Sequence, residues 1–451
     1  MIKLCLWLLL SVYTVQAGEL VVFNTGQGSC NLFVPENAAV PMLYDAGSSR
    51  RPIDPDGRKI DKVLIIDEIV TKIHAVLPYN KRLVIVISHG DSDHYNYIPD
   101  ILKGLDRTIK FFFFLGGKKA PYSNAFKTSL NQIPQIKRSV YYAEDYLDQD
   151  MPTPEIDGYE ASFLARLALD DKNSSSLVLR VRRATAPPSS PLILFMGDAT
   201  DVTTAPIVAE DVANTLVLLA NHHGSATEGS NNQAWVDKTC PDITVFSAAA
   251  SHYGHPDAGV AMRYHASPRL RREALHEFSY SGEAIARRPS FATYHAPKEG
   301  EGGYFRALTR KALFNTMNEG TMTFKLGRDL VTVRPDKPFF AMFPLRGLRC
   351  LDLSNIELVN TELVTIAPKL SILYSLETFH LYRNRLSFSE GADKGEEAAN
   401  QLDGLLQKIG TLVMISLWEN VYEEAFIEAH MPDADRREKL KFEVPAPPPQ
   451  G

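Results

Sequence analysis

The stretch VISHGDSDHYNYI (86–98) contains four side chains that could bind a metal ion, all within six consecutive positions. They are His89, Asp91, Asp93 and His94. His89 and Asp91 point to the same side of an extended segment, and Asp93 and His94 can turn toward that point where a helix begins. Imidazole and carboxylate groups without thiolate suit zinc, with manganese or iron as alternatives. The stretch predicts a metal site, although Asp, Ser and Gly are also ordinary loop residues.

The elements on either side of this stretch must position the four side chains. The preceding run RLVIVIS (82–88) is continuously apolar, which is typical of a strand buried on both faces of a sheet. The following run YNYIPDILKGL (95–105) has apolar residues at helical spacing. The segment is therefore predicted to form a strand, a tight loop and a helix, and loops at the carboxyl ends of buried strands commonly carry functional sites.

Further histidines and carboxylates follow other apolar runs. LFMGDAT contains Asp198, LLANHHGSATEGS contains His222 and His223, and SHYGHPDAG contains His252 and His255. A single loop histidine is most often a solvated side chain, but all of these follow predicted strands. We therefore expect them to meet the first four residues at one sheet edge.

Strands and helices alternate from residue 18 to about 336, which predicts a layered α/β domain. Within it we expect a strand pair at 19–34, a strand in PMLYDAGSS (41–49) and a helix at 62–76. A hairpin is expected in EGTMTFKLGRDLVTVRP (319–335).

The length of 451 residues suggests two or three domains, and the net charge of −6 provides no strong basic footprint for nucleic acid. Two local basic stretches, SPRLRREALHEF and ARRPSF, could contact phosphates or form a solvated helix face. Their arginines are Arg269, Arg271, Arg272, Arg287 and Arg288. The four cysteines lack CxxC spacing and are too few for a disulfide framework, although one disulfide is compatible with that number.

Residues 1–17, MIKLCLWLLLSVYTVQA, have the pattern of a signal peptide: an early lysine, an apolar run and small residues before the cleavage point. The alternative is a buried first strand or helix. The apolar run is too short to span a bilayer comfortably, so we expect a secreted or periplasmic protein with no integral membrane segment after cleavage.

The region at 337–442 has a different pattern. Three segments approximate the leucine-rich repeat consensus L-x-x-L-x-L-x-x-N-x-L, and Asn384 and Asn420 occupy its asparagine position, where the first segment has Ile356. The alternative is an ordinary leucine-rich helical region. We expect a small leucine-rich-repeat-like domain that binds a protein partner, followed by a disordered tail at 443–451. The segments are LRCLDLSNIEL, LETFHLYRNRL and LVMISLWENVY.

The ordered motifs TGQGS, LYDAG, SHGDSDH, NSSSLVLRV, LFMGDA, HHGS and GHPD resemble the metallo-β-lactamase superfamily, and most closely the hydrolase domain of ComEC-type competence proteins. The resemblance covers about residues 20–335 and includes the variant H-x-D-x-D-H motif, with Asp91 at the variant position. It implies an αββα sandwich with the site at one edge of its two sheets. The domain would then be 18–336. The relatives usually have DVGQGD where this chain has NTGQGS, with Asn24 and Ser29 in place of carboxylates.

The resemblance also implies a role for each motif residue. Asp198 would bridge two metals, and His223, or else His222, would complete the second site. Asp45 would order the ligand loop from behind, and Asn173 lies where many members have a histidine ligand. The metal ligands would be His89, Asp91, Asp93, His94, Asp198 and one of His222 and His223, while Ser225 and His255 would face the substrate.

The function implied is a metal-dependent hydrolase in which two divalent ions, zinc or alternatively manganese, hold a bridging hydroxide. Asp93 or Asp198 could orient or accept the proton of that nucleophile, and His255 could act as a general acid. A phosphodiester, including a nucleic acid, is the preferred substrate. The alternatives are a lactone, a thioester or a small phosphoester, and, in another class, a leucine-rich binding or effector protein with an inactive hydrolase fold.

Overall fold

The computed structural model describes residues 18–36, 40–53, 58–77, 81–186, 192–249, 253–286, 288–295, 303–326, 331–335, 350–370, 376–417 and 419–442. The predicted signal peptide (1–17) and the predicted tail (443–451) lie outside these residues, as do His252, Arg287 and Leu348.

The chain divides into two compact units. Unit 1 comprises Met1–Leu270 and Phe314–Lys337, and unit 2 comprises Arg271–Leu313 and Pro338–Gly451. This division differs from the predicted boundary near residue 336, because the segment Arg271–Leu313 belongs to unit 2. The physical reason is a shared core, in which Leu275, Ala292 and Leu308 belong to the same buried apolar cluster as the C-terminal leucines.

The strands as far as residue 335 are short, and most of those in unit 1 are buried along most of their length. They are β1 (Gly18–Val22), β2 (Cys30–Val34), β3 (Met42–Ala46), β4 (Arg82–Ile87), β5 (Lys110–Leu115), β6 (Arg138–Tyr142), β7 (Glu155–Ile156), β8 (Tyr159–Ala165), β9 (Val178–Arg183), β10 (Ile193–Phe195), β11 (Val217–Leu219), β12 (Ile243–Phe246), β13 (Arg272–Ser281), β14 (Phe291–His295), β15 (Tyr304–Lys311), β16 (Leu313–Asn315), β17 (Met322–Leu326) and β18 (Val331–Pro335).

Unit 1 is built on two mixed sheets, which confirms the coarse α/β expectation. The first has the order β18-β17-β1-β2-β3-β4-β5-β6, and the second has the order β16-β12-β11-β10-β9-β8-β7. Strands β3 to β6 run parallel in the first sheet, and β10 to β12 run parallel in the second. The predicted strand pair is β1–β2, and the predicted hairpin is β17–β18. The sequences of parallel strands are continuously apolar because both faces of the sheet are buried.

The helices of unit 1 include the predicted one at 62–76. They are α1 (Lys62–Val76), α2 (Ser92–Tyr95), α3 (Ile98–Gly104), α4 (Asn124–Gln132), α5 (Asp201–Thr204), α6 (Ala209–Val212), α7 (Gln233–Thr239), α8 (Ala258–His265) and α9 (Thr316–Glu319).

Helix α1 shows how the layers form. It begins after Asp61, whose carboxylate accepts the Val63 backbone N–H at 3.0 Å, and such a cap stabilises a helix by about 1 kcal/mol. Its buried face carries Ile65, Ile69 and Ile73, which pack in one cluster with the apolar residues of the first sheet. Burial of each isoleucine contributes roughly 1.5–3 kcal/mol.

Aromatic side chains join the two sheets of unit 1. The rings of Tyr44 on β3 and Phe195 on β10 stack at 4.7 Å between centroids, and the Tyr44 hydroxyl donates to the Leu177 carbonyl at 2.6 Å. Phe33 on β2 meets Tyr159 on β8 edge-on at 5.0 Å. These contacts bring the carboxyl ends of β3 and β4 close to the end of β10.

Unit 2 contains the antiparallel sheet β13-β15-β14 and a parallel sheet of short strands in the order β19-β20-β22-β24. A separate parallel pair is β21–β23. The remaining elements are β19 (Cys350–Asp352), α10 (Asn360–Leu370), β20 (Thr378–His380), β21 (Ser387–Phe388), α11 (Gly395–Lys408), β22 (Met414–Ser416), β23 (Val421–Tyr422), α12 (Glu424–His430), α13 (Ala434–Arg437) and β24 (Leu440–Lys441).

Asn384 ties two neighbouring turns of unit 2 together. Its side-chain oxygen accepts the backbone N–H groups of Ile356 and Leu358, each at 3.1 Å. Its amide donates to the carbonyls of Leu353 at 2.9 Å and Leu381 at 2.7 Å. The asparagine position picked out by the repeat pattern therefore satisfies backbone groups that a buried turn would otherwise leave unpaired.

Among the helices in the described part of the chain, none combines the length and apolar character needed to cross a bilayer.

Candidate metal centre

The loop after β4 presents its histidines to the protein interior and its carboxylates toward the surface. His89 and His94 are fully buried, whereas Asp91 and Asp93 are partly exposed. The predicted strand and loop are confirmed, as β4 ends at Ile87, but the single predicted helix is divided into α2, which begins at Ser92, and α3 (Ile98–Gly104). Because α2 starts inside the motif, the side chain of His94 turns back over the loop and its ring lies 4.2 Å from that of His89.

Asp45, at the carboxyl end of β3, holds this loop through hydrogen bonds on the side away from Asp198. Its carboxylate is fully buried and accepts the Ser88 N–H at 2.7 Å and the Ser88 hydroxyl at 3.0 Å. The same carboxylate lies 2.8 Å from Nδ1 of His94. A carboxylate accepts the proton on Nδ1, so Nε2 of His94 remains available as a ligand atom.

The second sheet supplies Asp198 from the loop after β10. The Asp198 backbone N–H donates to the Ser176 hydroxyl at 3.1 Å, and its buried carboxylate faces the ligand loop. Oδ1 of Asp198 lies 3.1 Å from Nε2 of His94, and Oδ2 lies 3.9 Å from Nε2 of His89. The two ligand loops thus meet at one carboxylate.

His222 and His223 follow β11 and approach different oxygens of Asp198. Both adopt left-handed backbone conformations, with φ of 46° and 55°. Nε2 of His222 lies 3.6 Å from Oδ2, and Nε2 of His223 lies 3.5 Å from Oδ1. Nδ1 of His223 donates to the Ser247 carbonyl at 2.8 Å, which leaves its Nε2 free to bind a ligand. The sequence left the choice between these histidines open, and the structure brings both to the carboxylate.

The buried ligand atoms fit a metal ion. Nε2 of His89, His94 and His223 and Oδ1 of Asp198 are buried without a hydrogen-bond partner, although Nε2 of His94 lies 3.1 Å from Oδ1 of Asp198. Buried polar atoms are rarely left this way in a folded protein. Two groups of candidate ligands have atoms within 4.8 Å of one another: His89, His94 and Asp198 form the first, and Asp93, His94 and His223 form the second.

Three distances among the candidate ligand atoms are close to the separation of ligands on a tetrahedral ion. Nε2 of His223 is 3.7 Å from Oδ2 of Asp93, and the other two edges, from Oδ1 of Asp198 to His94 and His223, are 3.1 and 3.5 Å. Ligands at about 2.0–2.1 Å from a tetrahedral ion are separated by roughly 3.4 Å. These three distances are therefore compatible with Asp93, His94, Asp198 and His223 contributing ligands to an ion such as zinc.

Electrostatics at the centre favour a positive charge. Burial opposes the charged form of Asp198, but His94, His223 and His222 outweigh it and hold its pKa well below the usual value. Burial likewise opposes charge on His94, but Asp198 and Asp45 raise the pKa of His94 well above its usual value. A divalent cation would provide that positive charge by displacing a proton.

Asp91 stands apart from both ligand groups. Its Oδ1 forms a 2.6 Å ion pair with Nζ of Lys172, while its Oδ2 lies 3.6 Å from Nε2 of His89. Interaction with His89, followed by that with Lys172, holds the pKa of the Asp91 carboxyl well below its usual range. Asp91 is therefore an ionised carboxylate that already has a cationic partner.

Of the remaining predicted residues, His255 lies beside His222, whereas Ser225 and Asn173 form hydrogen bonds within their own loops. The His255 ring is 5.7 Å from that of His222, and burial together with His223 and His222 lowers the pKa of His255 to about 4. At neutral pH that ring is uncharged, so this environment does not favour the predicted proton-donor role. The Ser225 hydroxyl accepts the Thr227 N–H at 3.1 Å within its own loop. Asn173 is half-buried, and its carbonyl accepts the Ser176 N–H at 3.0 Å.

Two motif glycines allow the ligand loop to pack closely against the first sheet. A Cβ on Gly47 would lie 2.6 Å from the backbone carbon of Asp93, and one on Gly28 would lie 2.8 Å from the Asp93 carbonyl oxygen. Ser29, next to Gly28, donates its N–H to that same oxygen at 3.2 Å. The TGQGS and LYDAG motifs thus hold the backbone that carries Asp93.

Sequence reasoning missed the residues that orient the histidines. Ser88 lies 2.9 Å from Nδ1 of His89 through its hydroxyl, and the Ser176 hydroxyl lies 3.4 Å from the same nitrogen. Lys172 was also missed, although a lysine beside Asn173 in a motif loop could have drawn attention to it. The Ser247 carbonyl could not be identified, because any residue supplies one.

The predicted phosphate-binding arginines are partly engaged in ion pairs. Arg269 lies 2.8 Å from Asp242 in unit 1, and Arg272 pairs with Glu357 in unit 2. Arg288 is exposed. Strand β13 begins at Arg272, so the stretch is not one helix face.

No protein-family model matches this sequence, and comparison with curated proteins yields no match either.

Proposed function

We propose that this chain is a metal-dependent hydrolase with an αββα metallo-β-lactamase sandwich in unit 1. The observation that carries the proposal is the convergence of three ring nitrogens without hydrogen bonds on the buried carboxylate of Asp198. Three serine or carbonyl groups and one carboxylate orient the far sides of these rings, an arrangement typical of metal-binding histidines. The ordered motifs at the sheet edge support the same conclusion.

Each ligand has a distinct role in this proposal. Asp93, His94, Asp198 and His223 would hold a divalent cation, with His89, Asp91 and His222 around the second oxygen of Asp198. Zinc suits the nitrogen and oxygen ligands, and manganese is an alternative. When bound, the cation would act as a Lewis acid that polarises the scissile group and lowers the pKa of water.

The protein groups around the cluster would bind the substrate and transfer protons. Asp93 is partly exposed, so its carboxylate could accept a proton from an incoming water. His255, uncharged at neutral pH, could donate a hydrogen bond to a substrate oxygen. A site rich in carboxylates and cations suits phosphoryl transfer, so we infer a phosphodiester substrate, with nucleic acid as one form. Lactones, thioesters and small phosphoesters are the alternatives.

Unit 2 would be a leucine-rich-repeat-like module that binds a protein. Its parallel strands and the contacts of Asn384 support this assignment. An inactive hydrolase fold that serves only as a binding protein is the contrasting hypothesis, and metal content and turnover distinguish the two.

The test compares the wild-type chain with Asp198→Asn and a matched control, Asp67→Asn. Asp67 is exposed on α1, so the same chemical change there should leave the centre intact. Elemental analysis should find bound metal in the wild type and the control, with less in Asp198→Asn. Hydrolysis of bis-p-nitrophenyl phosphate, single-stranded DNA and a lactone should identify the substrate class, and Asp198→Asn should reduce turnover at least a hundredfold. Full activity of the metal-free wild type would refute the proposal.

A further inference from the structure

The carboxylate of Asp198 divides the centre into two positions. Position 1 surrounds Oδ1, with His94 and His223 at 3.1 and 3.5 Å and Asp93 beside His223. Position 2 surrounds Oδ2, with His222 and His89 at 3.6 and 3.9 Å. Asp91 is the further carboxylate of position 2, at 3.6 Å from Nε2 of His89.

The two positions differ in whether a lysine already pairs with their carboxylate. In position 2, the ammonium group of Lys172 lies 2.6 Å from Asp91. This contact satisfies one oxygen of the carboxylate that a second metal ion would need. In position 1, Oδ2 of Asp93 lies 3.7 Å from Nε2 of His223, a separation that two ligands of one ion can have.

Hydrogen bonds hold the loop that carries Lys172 in place beside the centre. The Ser174 N–H donates to the Asp171 carboxylate at 2.9 Å, and the Ser175 hydroxyl donates to the Asp171 carbonyl at 2.9 Å. The Ser174 hydroxyl also lies 2.6 Å from that of Thr200, in the loop that follows Asp198. These contacts hold the backbone beside Lys172 near the loop of Asp198.

We propose that Lys172 determines how many metal ions the centre holds: its ammonium group takes the place of the second cation beside Asp91. This inference rests on the proposed function and changes its expected stoichiometry. Position 1 binds one divalent cation tightly. Position 2 binds a second only when the Lys172–Asp91 pair is broken, and repulsion between an ammonium group and a dication a few ångströms away weakens that binding by at least about tenfold.

The test measures metal stoichiometry in the full chain without reference to activity. Wild type, Lys172→Met and the control Lys118→Met are stripped with a chelator, titrated calorimetrically with Zn²⁺ and analysed for bound metal after gel filtration. Lys118 is a suitable control because it forms an equivalent 2.6 Å pair with Asp170 in the same unit. We expect one tight equivalent in the wild type and in Lys118→Met, and two in Lys172→Met. Electron paramagnetic resonance with Mn²⁺ should show spin coupling only in Lys172→Met.

A double variant tests whether the additional ion depends on Asp91. In Lys172→Met combined with Asp91→Asn, the stoichiometry should return to one, because position 2 has lost its own carboxylate. Two tight equivalents in the wild type, or one in a Lys172→Met protein with a native circular dichroism spectrum, would overturn the inference while leaving the metal centre intact. A wild-type chain that binds no metal would refute both the inference and the proposed function.

Discussion

Replacement of Asp45 by asparagine should weaken metal binding without removing any of the proposed ligands. Asp45 is fully buried and contacts Nδ1 of His94 and both polar groups of Ser88. Asparagine has nearly the same shape, so one oxygen can still accept the Ser88 N–H. Its amide NH₂, however, cannot accept a hydrogen bond from Nδ1 of His94. The ring is then favoured in the tautomer with the proton on Nε2, the atom that faces Asp198.

The size of the effect follows from this change of tautomer. Loss of such an orienting partner typically reduces metal affinity about 10–100-fold, or about 1.4–2.7 kcal/mol. The loss of one charged hydrogen bond should lower the free energy of unfolding of the metal-free chain by about 1.5–3 kcal/mol. Asp45→Ala should cost more in stability, since it leaves the Ser88 N–H and Nδ1 of His94 both without this acceptor.

Competition with a chromophoric zinc chelator measures the affinity, and urea unfolding in the presence of EDTA measures the stability. Asp67→Asn, on an exposed helix position, is the matched control and should change neither quantity measurably. If Asp45→Asn binds zinc as tightly as the wild type, His94 does not depend on Asp45 for its tautomer and the reasoning is wrong.

Two further predictions concern unit 2. Asn384→Ala should lower the free energy of unfolding by about 2–4 kcal/mol, because it removes the partners of four backbone groups in a buried turn, and equilibrium urea denaturation would measure the change. Truncation after Pro335 should yield an aggregating chain by size-exclusion chromatography, since the strands of Arg271–Leu313 lose the C-terminal part of their shared core. Removal of that segment as well, with a short linker, should prevent the aggregation, because the Ala312 N–H donates to the Arg271 carbonyl at 2.9 Å and the cut ends are close. If the chain truncated after Pro335 does not aggregate, the assignment of Arg271–Leu313 to unit 2 is contradicted.

The residues of the ligand loop could be recognised from sequence because local rules act on neighbouring residues. An apolar run followed by HGDSDH predicts a strand that ends at a polar loop, and the structure has that strand and loop. The same reasoning placed Asp198, His222 and His223 after strands, where a parallel arrangement brings loop residues to a common edge. Asn384 and Asn420 were selected by spacing alone, and Asn420 likewise donates to two carbonyls, of Leu381 and Leu417.

Contacts between distant segments could not be predicted in this way. The assignment of His222 and His223 to different oxygens of Asp198 depends on two consecutive left-handed residues, which tertiary packing imposes. The ion pair between Lys172 and Asp91 joins residues 81 positions apart, and periodicity carries no information about such a pair.

The sequence by itself determined the elements, the types of ligand and their positions at strand ends, because hydrophobic periodicity and loop chemistry are local properties. Tertiary structure decided which nitrogen faces which oxygen, which carboxylate already has a cation, and where the chain divides. The segment Arg271–Leu313 illustrates the difference: it lies between two parts of unit 1 in the sequence, yet its apolar side chains are buried with residues far along the chain. Burial of apolar surface depends on the whole set of side chains available in space, and sequence order alone does not specify that set.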